Sequence, residues 1–214
     1  MYNWCTHTFN VIKGECPHQC SYCYCKQWGK QSPLHFDDAE LKTDLGQGNF
    51  IFVGSSCDMW AATISKDWIG KILEHCKNYQ NEYLFQSKNP VEFNYHILPI
   101  SSIVGTTIES NRPYPGISKA PDCTMRMAAL CGLSFPKMVS IEPIMDFDLD
   151  TMINWMREIS PEFVSIGADS KGHKLPEPPP DKTQALIDEL RKITEVRIKD
   201  NLSRILKGIT GISQ

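Results

Sequence analysis

The sequence predicts an α/β protein, a partial, open TIM-like β/α barrel of about six to seven βα units. Three observations predict it. Short β-branched or apolar runs alternate with helically spaced stretches along the chain, which argues for parallel strands joined by right-handed crossovers. The chain has 214 residues, whereas a complete eight-unit barrel typically takes ~250. Polar residues recur in one inward-facing phase at the carboxyl ends of five successive strands, where a purely structural barrel would carry Val, Ile and Leu.

Taken in order, the first strand is expected over residues 9–12 and is followed by a cysteine-rich loop and a helix over 37–45. A strand at 50–53 leads into a helix over 65–79, with Trp68, Ile72, Leu73 and Cys76 on one face. Strands at 83–85, 103–108, 138–141 and 163–166 are each followed by a helical stretch, at 90–97, 122–133, 148–159 and 181–193. The third of these has acidic residues in its first turn, and the fourth opens on Asp181 after a proline run. The weakest strand, at 196–198, begins a C-terminal strand and helix (195–214) expected to close the barrel of a single domain spanning 1–214. Two proline-bearing stretches, 110–121 and 170–180, directly follow strands. They therefore fall at the carboxyl ends of the sheet, as stiff connectors or as lids over a ligand.

Composition narrows the class further. With 41% hydrophobic and 10% aromatic residues the chain can build a real core, which excludes disorder. No apolar run approaches the ~20 residues of a membrane span, and the N-terminus lacks a signal-peptide profile. A cytoplasmic protein without membrane contact is expected. Nine cysteines are an odd number and fall short of the ~8–10% of disulfide scaffolds, so metal binding or redox chemistry is the better explanation. The net charge is −3 and gives no strong sign of a nucleic-acid partner. Residues 171–214 hold nine basic against six acidic residues, +3, which leaves −6 for the remainder.

Cys16, Cys20 and Cys23 form C-x3-C-x2-C just after the first strand. Three thiolates on one loop suit an iron–sulfur or zinc site. Structural zinc would call for a fourth ligand with a second paired spacing, and none is evident. Three ligands on a four-iron cluster leave one iron open to a small molecule. Cys76 and Cys131 lie on apolar helix faces, as packing residues. Cys57, after the second strand, is either packing or a hydrogen-atom donor. An auxiliary cluster of Cys5, Cys25, Cys57 and Cys123 is not supported by spacing.

The spacing, with Tyr22 before the last cysteine and the βα alternation around it, resembles the radical S-adenosylmethionine (SAM) superfamily. The Tyr22-Cys23-Tyr24 continuation resembles spore photoproduct lyase. Gly54-Ser55-Ser56-Cys57-Asp58, Gln86-Ser87-Lys88-Asn89-Pro90 and Ser140-Ile141-Glu142-Pro143 look more like small phage- and prophage-associated radical SAM proteins. The superfamily resemblance covers nearly the whole chain. It implies that Cys16, Cys20 and Cys23 ligate a [4Fe–4S] cluster whose fourth iron chelates SAM. It further implies cleavage of SAM to a 5′-deoxyadenosyl radical that abstracts hydrogen, with an electron donor such as flavodoxin or ferredoxin.

By the same resemblance Gly54 and Ser56 stand where the SAM amino group binds, although Gly-Ser-Ser departs from the usual Gly-Gly-Glu. Thr107 and Glu109 point to ribose or the methionyl carboxylate, Lys88 and Arg126 to that carboxylate, Glu142 to ribose or substrate, and Tyr22 to adenine or simple packing. Three functions remain in competition. The first is a radical SAM lyase or transferase acting on a nucleic-acid base or nucleotide, motivated also by Arg191, Lys192, Arg197, Lys199, Arg204 and Lys207. The second is such an enzyme acting on a small metabolite or peptide, and the third is a non-catalytic metal-binding interaction module.

Overall fold

The computed structural model describes residues 2–207. Nine strands form in chain order: β1 (His7–Phe9), β2 (Ile12–Lys13), β3 (His35–Phe36), β4 (Phe50–Val53), β5 (Glu82–Gln86), β6 (Ser102–Thr107), β7 (Lys137–Ile141), β8 (Phe163–Ile166) and β9 (Glu195–Ile198). Seven of them make one parallel sheet in the order β1-β4-β5-β6-β7-β8-β9, and β2 pairs antiparallel with β3. Helices α1 (Lys66–Lys77), α2 (Cys123–Cys131), α3 (Leu149–Ile159), α4 (Pro180–Leu190) and the single turn α5 (Ser203–Leu206) complete the chain. All seven expected main-sheet strands form, and the sheet is open: β1 and β9 are its edges. The expected closure by 195–214 does not occur among the described residues, because β9 pairs only with β8. Residues 208–214 of that element lie outside the described residues. No described helix is long and apolar enough to cross a membrane.

Three local expectations are corrected. Strand β1 stops at Phe9 rather than running to residue 12, because the Asn10 side chain turns to accept from Ser55 Oγ and Ser56 N–H at 3.1 and 3.0 Å. The helix expected at 37–45 is only a 3-10 turn, Glu40–Lys42. Asp37 Oδ1 takes the N–H groups of Ala39 and Glu40, an Asx-type turn that competes with a helix start. Residues 90–97 likewise give a 3-10 turn, Pro90–Tyr95. The first crossover, from β1 to β4, therefore carries the cysteine loop and the β2–β3 pair instead of an α-helix.

Strand alternation divides the sheet into two unequal layers. One face buries Ile51, Val53, Phe85, Val104, Val139, Ile141, Val164 and Ile166 against apolar stripes such as Ile69, Ile72 and Leu73 of α1 and Met152, Trp155 and Met156 of α3. The opposite phase forms a smaller cluster of Leu84, Met138 and Phe163, filled by the N-terminal arm through Tyr2 and Cys5 with Trp4 alongside. Tyr2 stacks on Trp4 (4.4 Å between centroids) and lies 5.6 Å from Phe52 of β4, while the Lys199 ammonium, just past β9, sits 4.7 Å above the same ring. Five strand spacings separate β4 from β9, ~24 Å if flat. One ring reaches both because the sheet curls and the side chains lean inward.

Candidate functional site

The concave face opens at the carboxyl ends of the strands into a cavity of about 420 Å³. The three loop cysteines, the 54–58 segment, Lys88, Thr107, Glu142, Asp169 and Lys199 line it, with Tyr2 and Phe52 from the arm and sheet. Of the residues singled out from sequence, Cys16, Cys20, Cys23, Tyr22, Gly54, Ser56, Cys57, Lys88, Thr107 and Glu142 all meet in this cavity. Glu109 and Arg126 stand behind its wall, both almost fully buried.

The cysteine loop is held at several points. Gly14, at its base, has φ +96°, and a side chain there would run into the Pro33 carbonyl. His18, inside the motif, is buried and donates Nε2–H to Asp58 Oδ2 at 2.9 Å. Asp58 also accepts from Ser87 Oγ (2.9 Å), Lys88 N–H (2.8 Å) and Trp60 N–H (3.0 Å). Burial alone would raise its carboxyl, but the His18 contact and the two backbone donors outweigh that and hold it below its ordinary value. The 110–121 segment closes the loop's other flank, through Ser21 N–H to Ile117 O and Lys119 N–H to His18 O, both 2.7 Å.

Four thiols, Cys16, Cys20, Cys23 and Cys57, line the cavity, with Cys25 beside Cys23. The neighbouring Cys57 thiol lowers Cys16 and the neighbouring Cys25 thiol lowers Cys23, while Cys57 and Cys25 are themselves driven upward. Burial pushes Cys20 up. Cys25 donates to Ser56 O at 3.3 Å. Among the described residues no three His, Cys, Asp or Glu side chains close on a point that would hold a single metal ion. Cys16, Cys20 and Cys23 do line one cavity, and soft thiol donors are the kind an iron–sulfur cluster takes.

Behind the cysteines lies a buried charge group. Glu109 is 2% exposed and bonds Lys88 Nζ (2.9 Å), Arg126 Nη1 (2.8 Å), the Tyr22 hydroxyl and Cys123 Sγ (3.2 Å). Burial raises its carboxyl, and the Lys88 and Arg126 charges overcome this and hold it far below the carboxylate range. Arg126 is further committed to the carbonyls of Thr107 (2.6 Å) and Pro121 (2.7 Å). Burial, with the Glu109 charge, keeps the Tyr22 hydroxyl protonated, and Lys88 Nζ stands 5.2 Å from the Tyr22 ring centroid. Lys88 and Tyr22 are thus fixed from behind while they face the cavity.

On the far wall Glu142 pairs with Lys199 (2.6 Å) and Asn201 (3.3 Å). Gly167 makes room for it: a Cβ there would stand 2.8 Å from the Glu142 carboxyl. Lys199, Tyr2 and His18 were not foreseen as lining residues. Lys199 continues the inward phase of β9 and was visible only as part of a basic tail. That tail is largely neutralised: Lys192 pairs with Glu189, Arg197 with Glu195 and Arg204 with Glu177. Tyr2 left no signal, since the arm has no periodicity.

Compared with known proteins, the chain matches no protein-family model and no curated protein sequence.

Proposed function

We propose that the protein is a cytoplasmic radical SAM enzyme built on an open, TIM-like β/α barrel, with Cys16, Cys20 and Cys23 as the ligands of a [4Fe–4S] cluster. One observation carries the reading: the three cysteines of C-x3-C-x2-C border the same carboxyl-end cavity as the polar ends of β4 to β8. When bound, the reduced cluster and SAM supply a 5′-deoxyadenosyl radical that takes hydrogen from a substrate.

The chain's own groups divide the remaining work. Lys88, oriented by Glu109, offers a cation to a carboxylate, and Thr107 and Ser56 offer hydrogen bonds beside it. The Tyr22 ring supplies an apolar face next to the cysteines. Glu142 and Lys199 hold the opposite wall and face the substrate. Tyr2 and Phe52 floor the cavity and keep water from entering through the curled sheet. Cys57 is placed to give a hydrogen atom back. A flavodoxin or ferredoxin would deliver the electron.

The acidic pairing of Lys192, Arg197, Lys199 and Arg204 favours a small metabolite or mononucleotide over a nucleic-acid strand as substrate. The test is anaerobic reconstitution with iron and sulfide, reduction, and addition of SAM. A [4Fe–4S]⁺ EPR signal and 5′-deoxyadenosine are expected from the native chain, and neither from Cys16→Ala, Cys20→Ala or Cys23→Ala. Folded protein that takes up metal but never cleaves SAM would instead make this a non-catalytic metal-binding module.

A further inference from the structure

The 110–121 segment does more than flank the cysteine loop. It brings Ser118 Oγ to 3.2 Å from Cys20 Sγ, 98 residues away in sequence. The hydroxyl has one hydrogen and two lone pairs. Ala120 N–H donates to the oxygen at 3.1 Å, which leaves the hydrogen to choose between Cys20 Sγ and His18 O, also 3.2 Å away. His18 O already accepts the Lys119 N–H at 2.7 Å. A metal-bound Cys20 is a thiolate with no hydrogen of its own, so it can only accept, and a charged acceptor makes the stronger bond.

The segment that carries Ser118 is itself anchored. Arg112 Nε bonds Asp148 at 3.1 Å, Tyr114 Oη donates to Asp146 O at 2.8 Å, and Ser110 Oγ donates to the same carbonyl at 2.6 Å. Cys20 is 7% exposed, so little water competes for its sulfur.

We propose that Ser118 is a positioning residue whose hydroxyl donates to the Cys20 sulfur and sets the reduction potential of the cluster held there. This rests on the cluster reading above. A donor to a cluster sulfur stabilises the more negative, reduced state and so raises the potential. Removing it should lower the reduced-to-oxidised ratio at fixed poise by about tenfold, a shift of about 59 mV for a one-electron couple.

The experiment is an EPR-monitored redox titration of reconstituted native protein, Ser118→Ala and Ser118→Thr, with iron and sulfide content measured on each. The expected result is equal iron content, a lower midpoint for Ser118→Ala, and a midpoint near native for Ser118→Thr, which keeps the hydroxyl. The native cluster and Ser118→Thr should also show an exchangeable proton coupling in deuterium-exchange ENDOR. That readout decides the matter even if Ser118→Ala takes up no iron. Unchanged midpoints at full iron content, equal shifts in both variants, or no exchangeable proton in the native cluster overturns the Ser118 assignment while leaving the enzyme reading intact. Native protein that assembles no cluster overturns both.

Discussion

His18, between the first and second cysteines of the loop, is tied at 2.9 Å to Asp58, five residues past the end of β4. Because Asp58 also collects Ser87, Lys88 and Trp60, a single carboxylate joins the cysteine loop to the ends of two neighbouring strands. Asp58→Ala leaves two backbone N–H groups and an imidazole N–H without acceptors, at a cost of about 3–5 kcal/mol. Urea denaturation should show a stability loss in that range, with reduced iron uptake on reconstitution. A variant as stable as the native chain would show that the loop is held by its other contacts.

Glu109 answers two cations at once, the buried Arg126 and the partly buried Lys88. Glu109→Gln keeps the shape but leaves Lys88 and Arg126 uncompensated, which should cost about 3–5 kcal/mol. Adding Lys88→Met to Glu109→Gln removes one stranded charge and should recover part of the loss. Calorimetric melting of the three proteins measures it, and a double variant no more stable than Glu109→Gln would count against the charge explanation.

Acid should act through the same two carboxylates. Asp58 and Glu109 are both held below their ordinary values in the folded chain, so the unfolded chain binds protons first as pH falls. Their contribution is complete above the unfolded values, ~3.9 and ~4.3, and is lost progressively below about pH 5. Unfolding free energies between pH 7 and pH 3 should decline along this limb. In Glu109→Gln the decline should be shallower.

The strand phase was legible because alternation is a local property: Gln86, Lys88, Thr107, Ser140 and Glu142 announce an inward polar face by spacing alone, and the structure puts them around one cavity. The cysteine loop was legible for the same reason. Lys199 and Tyr2 were not, since their placement depends on sheet curvature and on contacts across the whole chain. The failed helix at 37–45 shows the opposite limit. Its composition permitted a helix, and one side chain, Asp37, diverted the backbone donors that would have started it. Glu109 and Arg126 were expected to meet SAM; instead they pair with each other behind the wall, where Arg126 also bonds the Thr107 and Pro121 carbonyls, which no spacing rule foretells.

Gly167 offers a steric test of the far wall. Gly167→Ala would place a methyl 2.8 Å from the Glu142 carboxyl and 3.0 Å from Asn201 Oδ1. Overpacking of this kind costs about 1–3 kcal/mol, and the Glu142–Lys199 pair should be displaced with it. A crystal structure of the variant with that pair intact and no loss of melting temperature would refute the tight fit.

The arm that fills the inner face gives assembly a direction in time. Tyr2 and Trp4 are made before the sheet, yet part of their packing is against Lys199 and Arg197, which are made about two hundred residues later. Loop-closure entropy disfavours such distant pairing until the intervening strands are in place. The cavity floor is therefore completed only after synthesis of the sheet's final strand. On a nascent chain the cysteine loop is already out while the chamber it serves still lacks its base, so a finished site for any metal group exists only once β9 has joined the sheet.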